Sequence, residues 1–425
     1  MKRLQAYKFL IEPNGDQQLA MRRIAGSCRY VWNKALAQQI ENYKSGGKFI
    51  NHFSMCKWLP VWKTGPDTLW LKDTPSQLFQ VVLKDLVRGY KNFFDKRADF
   101  PTFKKKTDRG SFCFPQGCEL DAGNSRIKFP KLGWIHYRKS REVEGRIKNI
   151  TVSCSAGKWY VSIQTQREVP QPVPAATSTT SATSATSATS AIGIDMGITR
   201  FATFSDGSFL APLNSFKKHE QRLAKYQRRM SRKIKYSCNW KKQRRKVQKT
   251  HTCIANARKD FLHKATTAIS KNHAMVAIED LQVRNMSRSS KGNAQAPGKN
   301  VAAKSGLNKA ILDQGWGEFR RQLEYKMAWN GGILLAVPAH YTSQTCPCCA
   351  HVAKENRLKQ ADFLCVECGY AENADVVGAI NVLERGQRLL ACGEDGSGRG
   401  RKTTAQPASV KQEPTEVTTC EATHV

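Results

Sequence analysis

Two Cys-x-x-Cys pairs with fifteen residues between them constrain this chain more than any other feature. Cys346 and Cys349 make the first pair, Cys365 and Cys368 the second. Thiolates at this spacing sit on one tight turn and converge on one cation, and two such turns complete a tetrahedron. The spacing predicts a closed Zn²⁺ module over about residues 343–370, with four sulfur ligands and no open position. Such a metal contributes folding energy, on the order of 10–16 kcal/mol in isolated peptides, and no chemistry. Cys348 offers a CxC alternative and His351 a competing ligand, and both are poorer fits. The other cysteines are scattered, the pattern of a reducing compartment and not of a disulfide framework.

The chain is long enough, at 425 residues, for two or three domains. Its 69 Lys and Arg against 34 Asp and Glu leave a formal charge of +35. That surplus opposes compaction unless a polyanion neutralises it, and nucleic acid is the natural partner. A membrane surface would also attract it, but no apolar run is long enough to span a bilayer. Nothing after Met1-Lys2-Arg3 reads as a signal peptide. The expected location is the cytosol or nucleoid.

Texture divides the chain. Residues 1–10 read as a strand and Pro13-Asn14-Gly15 as a turn, with Asp16 available to cap the helix that follows. A second helix spans about Ser76 to Phe94. Between Phe112 and Gln166, short alternating runs (111–114, 126–129, 134–137, 147–152, 159–164) read as antiparallel strands. Pro170, Pro172 and Pro174 open a Thr-Ser-Ala repeat to Ser190 that buries too little apolar surface to order. Beyond it the chain turns α/β. Strands are expected at 191–196, 201–205, 274–278 and 333–337, and helices over 213–271, 308–329 and 375–386. A mobile loop is expected at 284–306 and a disordered tail at 387–425.

Three carboxylates stand at comparable places in this α/β half. Asp195 ends the strand Ile192-Gly193-Ile194, and Glu279 ends Val276-Ala277-Ile278. Asp375 opens the helix that continues Val376-Val377-Gly378-Ala379. An Asp after a strand is commonly a turn former, so no single motif is specific. Acids from two strands and one helix are the donor set for Mg²⁺, and two such ions can hold the attacking and leaving oxygens of a phosphodiester.

These runs, with the cysteine module between the second and third acids, look like TnpB. That is the OrfB-type protein of bacterial insertion sequences, related to type V CRISPR effectors. The resemblance extends to Asn256–Lys264, Gly315–Phe319, Tyr7-Lys8-Phe9 and Phe100–Lys104, nearly the whole chain apart from the repeat and tail. It implies an RNA-guided DNA endonuclease with an RNase H-like RuvC domain in which Asp195, Glu279 and Asp375 bind catalytic Mg²⁺. The implied architecture is an α/β and β multidomain protein. A β-barrel-like wedge region takes 1–12 and 100–169, and a helical recognition domain 13–99. A linker at 170–190 leads to the nuclease domain at 191–342 and 371–386, with the zinc ribbon 343–370 inserted. The partners implied are a guide RNA from the element's own end and double-stranded target DNA, bound by a monomer. Ala350 stands where the family usually has Gly, which puts one turn of the ribbon in question.

Between Lys217 and Lys259 there are seventeen Lys and Arg and one acid, Glu220. Like charges at helical spacing oppose one another, so this run reads as a phosphate-tracking surface. Its candidate contacts are Lys225, Arg228, Arg229, Arg232, Lys233, Lys241, Lys242, Arg244, Arg245 and Lys246. The family would lay guide RNA and the RNA–DNA duplex here, recognised through backbone and shape. Ser76, Gln77 and Gln80, at a helix start, are candidates for base edges of a target-adjacent motif. Trp58, Trp62 and Trp70 read as packing residues. Two other functions use the same residues: a transposase performing strand transfer itself, and a catalytically silent nucleic-acid-binding regulator.

Overall fold

The computed structural model describes residues 1–106, 110–170, 190–293, 295–357 and 359–391. The linker at 170–190, apart from its two end residues, and the tail beyond 391 lie outside the described residues.

Strand β1 (Lys2–Glu12) leads into a 30-residue helix α1 (Gly15–Lys44). The cap of α1 is Asn14 and not Asp16: Asn14 Oδ1 accepts from the Gln17 amide at 2.8 Å, and the Gln17 side chain returns the bond to the Asn14 amide. Reciprocal bonding of this kind satisfies two otherwise orphaned donors. Short helices α2 (His52–Cys56) and α3 (Trp58–Thr64) and a 3-10 turn at Pro66–Asp73 precede α4 (Ser76–Phe94). Strands β2 (Ser111–Phe114), β3 (Glu119–Asp121), β4 (Arg126–Phe129), β5 (Gly133–Tyr137), β6 (Arg146–Ser155) and β7 (Lys158–Glu168) follow. With β1 they form one seven-stranded antiparallel sheet in the order β2-β6-β7-β1-β5-β4-β3. The first strand therefore lies inside the sheet, paired along β7 from Lys2 to Ile11. Its inward residues Tyr7, Phe9 and Ile11 share one apolar core with Met21, Val31, Leu83 and Leu86 of α1 and α4.

The second body begins with β8 (Ser190–Asp195), β9 (Ala202–Phe204) and β10 (Phe209–Leu210), the turn between β9 and β10 being made by Gly207 at φ +83°. The basic run is two antiparallel helices and not one, α5 (Ser215–Ser231) and α6 (Cys238–Asn272). Asn214 is left-handed and offers α5 no side-chain cap. The buried Asp313 carboxylate caps it instead, accepting from the Ser215 hydroxyl and the Phe216 amide at 3.0 Å each. Strand β11 (His273–Glu279) and the single turn α7 (Val283–Met286) come next. The loop after α7 ends earlier than its composition suggests, because α8 starts at Val301 (Val301–Gln314). Gly315 at φ +77° then separates α8 from α9 (Trp316–Asn330), where the sequence reads one helix. Strand β12 (Ile333–Val337), hairpin strands β13 (Asp362–Leu364) and β14 (Ala371–Asn373), and α10 (Ala374–Ala391) complete the body. Helix α10 runs five residues past the expected end at Gly386.

The five-stranded sheet is ordered β10-β9-β8-β11-β12, with β8, β11 and β12 parallel. Strand alternation assigns its two faces. Ile192, Ile194, Val276 and Ile278 pack toward Leu262, Phe319 and Leu323 of α6 and α9. Ala277 and Val337 pack toward Val382 of α10. Gly193 is needed where α10 crosses β8: a Cβ there would lie 2.0 Å from the Ala379 carbonyl oxygen.

Candidate functional site

Asp195 and Glu279 each lie one residue beyond the paired Ile194 and Ile278 on adjacent parallel strands. By alternation both face α10. Asp375 sits in the first turn of that helix, and Gly378 one turn later lies under Asp195, where an added Cβ would be 3.1 Å from Asp195 Oδ2. The three acids, 180 residues apart in the chain, are thus brought to one place by the contact that Gly193 permits. Glu279 is 7 % exposed. Burial, then the neighbouring Glu279 and Asp375 charges, push the Asp195 carboxyl up to about 7, with Arg357 opposing. Burial also raises Glu279, offset by a 2.8 Å hydrogen bond from the Thr342 hydroxyl and by Arg385. The next residue, Asp280, points away and pairs with Arg320 of α9. The strand pleat therefore decides which of two consecutive acids joins the site.

Groups from distant parts of the chain hold these carboxylates. Arg357, in the cysteine module, has Nη2 3.8 Å from Asp375 Oδ1. Asn381 of α10 donates to the Thr342 and Thr345 carbonyls at 2.7 and 2.8 Å, fixing the segment that carries Thr342. Arg385 donates to the Pro338 and His340 carbonyls. The motif reading missed all four residues, since each gains its role from contacts that no local spacing announces. All three groups are hard oxygen donors suited to Mg²⁺, and a divalent cation held there would offset the repulsion that Asp195 meets from its two acidic neighbours.

The four cysteines converge. Their sulfurs lie within 4.8 Å of one another, with Cys346–Cys368 and Cys349–Cys365 at 3.5 Å. A tetrahedral Zn²⁺ with bonds of about 2.3 Å requires sulfurs roughly 3.8 Å apart, so the set fits that ion. Among the described residues this is the one group of three or more potential ligands drawn so close, and the three acids are more widely spread. The two knuckles repeat one another. Cys346 N donates to the His351 carbonyl as Cys365 N does to Tyr370, and Ala350 N and Gly369 N return to Cys346 and Cys365. Both return positions are left-handed, Ala350 at φ +59° and Gly369 at +72°. Buried Asn356 ties the knuckles, donating to the Gln344 and His351 carbonyls and accepting from Val366 N. Cys348 is exposed and outside the cluster, and His351 contributes its backbone carbonyl.

The basic helices form a hairpin whose outer part has no buried residue from Ala224 to Lys249. Lys225, Arg228, Arg229, Arg232, Lys233, Lys241, Lys242, Arg245 and Lys246 are exposed there, and Arg244 is half-buried beside Trp240. Glu220 is paired with Lys309 of α8 at 2.9 Å, which leaves the hairpin's cations without it. Ser76, Gln77 and Gln80 lie in the other body. Ser76 and Gln80 are exposed, Gln77 is half-buried, and the Ser76 hydroxyl already accepts from Lys63 at 2.6 Å. Trp62 is buried, whereas Trp70 packs edge-on against Tyr30 with 44 % of its surface exposed. No helix among the described residues is long and apolar enough to cross a membrane.

The family described as "Probable transposase" (OrfB of IS605) matches residues 162–290, and the Cas12f1-like TNB domain matches 316–382. The protein named "Putative RNA-guided DNA endonuclease InsQ" of Escherichia coli K12 is 55 % identical over 98 % of this chain and 99 % of its own. The chain belongs to the TnpB/OrfB family. A Streptomyces pristinaespiralis member, named "Putative RNA-guided DNA endonuclease", is 32 % identical over 97 % of both chains. A helix-turn-helix family also matches residues 1–48, where the structure has one strand followed by one continuous helix. A solved "mini-RNA-guided endonuclease" covers 93 % of this chain and 94 % of its own at 10 % identity with a TM-score of 0.45, too loose to carry an argument.

Proposed function

We propose that this protein is an RNA-guided DNA endonuclease of a transposable element, hydrolysing phosphodiesters at a RuvC-type centre formed by Asp195, Glu279 and Asp375. The observation that carries this reading is the meeting of those acids on one sheet face. The strand order of the second body suits an RNase H-like fold. Mg²⁺ held by these carboxylates would polarise the phosphate and activate water. The chain's own residues orient that site. Thr342 holds Glu279, α10 presents Asp375 over Asp195, and Arg357 places a fixed positive charge beside the acids where phosphate charge builds. The four cysteines hold structural Zn²⁺. The α5–α6 hairpin takes the backbone of guide RNA and its duplex with target DNA, and Ser76, Gln77 and Gln80 contact the target-adjacent motif. The wedge and recognition segments act together in one monomer, in the cytoplasm.

The test is co-purification. The protein is expressed with its flanking genomic DNA and bound RNA is sequenced. A plasmid library with a matching target and a randomised flank is then added with Mg²⁺. Discrete RNA and guided cuts that vanish in Asp195→Ala support the reading. A folded, zinc-loaded protein with neither overturns it. Strand-joined products would assign the site to transposition instead, and binding unchanged by Asp195→Ala without cutting would make the protein a regulator.

A further inference from the structure

The C-terminal ends of α1 and α4 and the segment after α4 enclose a cleft of about 580 Å³ lined by Tyr43, Phe49, Tyr90, Phe93, Phe94 and Phe100. By helical rise it lies about 27 Å along α4 from Ser76. The rings brace one another. Phe49 meets Tyr90 at 5.3 Å and Phe94 at 6.2 Å, and Phe100 meets Tyr90 and Phe93 at 5.4 and 5.3 Å. Their outer faces stay open, with Tyr43 80 % exposed, Phe94 63 % and Phe49 43 %. A contiguous aromatic patch of this kind marks an interaction site, unlike scattered surface rings.

The chemistry around the cleft identifies the occupant. Tyr90 is 4 % exposed and supports the outer rings from within. The cleft's surroundings carry more positive than negative charge. Lys44 lines it, and Lys48, Lys91 and Lys96 are exposed on the same chain segments. Of the acids there, Asp95 is paired with Arg97, and Glu41 and Asp99 are also exposed. A second copy of a chain carrying +35 would bring like charge to this face. Flat rings and surrounding lysines together match a nucleobase with its flanking phosphates.

We propose that this cleft stacks an unpaired base of single-stranded RNA on Tyr43, Phe49 and Phe94. RNA loops and bulges present splayed bases, whereas duplex DNA must first be unstacked. The inference rests on the reading that this chain binds RNA, and it adds a base-stacking contact on a body separate from the basic hairpin.

The experiment uses the full-length, zinc-loaded protein and a hairpin RNA carrying 5-iodouridine in its loop, irradiated and mapped by mass spectrometry. The expected adduct falls on Tyr43, Phe49 or Phe94. Tyr43→Ala with Phe94→Ala should remove it and weaken binding by about 5- to 150-fold, the worth of one stacked base. The salt dependence should stay unchanged, because no phosphate contact is lost. An unchanged thermal melt checks that the double variant folds. If the wild type binds RNA but the adduct lies elsewhere and the double variant binds within twofold, this inference fails and RNA binding stands. If the wild type binds no RNA, both fail. An adduct formed only with the matching DNA hairpin, or a dimer in sedimentation that the double variant abolishes, also overturns it.

Discussion

Replacing Asp195 by Asn should stabilise the metal-free protein at alkaline pH, although it removes a proposed catalytic group. The Asp195 carboxyl is pushed up to about 7 by burial, Glu279 and Asp375, from about 3.9 in an unfolded chain. The folded state therefore holds the proton more tightly. Its contribution is complete below about pH 4 and is lost as pH rises through about 7. At about 1.4 kcal/mol per pKa unit, the loss from pH 5 to pH 8 is about 2–3 kcal/mol. Asn keeps the shape and cannot ionise. For a body of this size the variant should melt about 5–10 °C above wild type at pH 8, with the gap shrinking toward pH 5. The assay is thermal denaturation in a Mg²⁺-free buffer at both pH values. Subtracting the two proteins cancels the pH dependence of zinc retention, which they share. Mg²⁺ should then raise the wild-type melting temperature at pH 8 and leave the variant nearly unmoved. Equal melting temperatures at pH 8, or a gap that does not change with pH, would refute the claim that these carboxylates crowd one another.

Ala350→Gly should relieve the left-handed strain at φ +59°, worth about 0.5–1 kcal/mol after the entropy cost of Gly, and slow zinc extraction by a chelator about 2- to 5-fold. Cys365→Ser should cut bound zinc from about one ion per chain to near zero by elemental analysis. It should also expose Arg357 and the start of α10 to proteolysis, because the knuckle core includes Ala374 and Val377. Gly193→Ala drives a methyl into the Ala379 carbonyl and should cost more than about 3 kcal/mol or prevent folding. The contrasting Gly306→Ala, with nothing within 4 Å, should gain up to about 1 kcal/mol in the α8 interior. Denaturant melts compare the pair.

Period and spacing made much of this molecule legible. The strand 333–337 and the helix 76–94 follow directly from alternation and from helical recurrence. The four cysteines meet because CxxC has one compact solution. The misreadings have physical causes. Residues 213–271 keep good helix formers through the turn at 232–237, where Tyr236 is left-handed at φ +70°, so composition hides the reversal. Gly315 breaks a pattern that is apolar and helical on both sides, and a lone Gly inside a helix is usually tolerated. Asn14 caps α1 in place of Asp16 because Gln17 falls three residues after it. At the acids, the sequence displays the carboxylates but not what holds them. Thr342, Arg357, Asn381 and Arg385 act across separations that only the fold closes.

The position of β1 sets a timetable for synthesis. This strand leaves the ribosome well before its main partner, β7, which ends at Glu168. At roughly 5–20 residues per second, translation leaves β1 waiting about 10–30 s for its neighbour. Throughout that interval Tyr7, Phe9 and Ile11 are on an open strand edge, the kind of surface that invites mispairing between nascent chains. Lys2 and Lys8 alternate with those residues and keep like chains apart. The order of emergence thus gives the cations of β1 a protective task that is finished before any nucleic acid is bound.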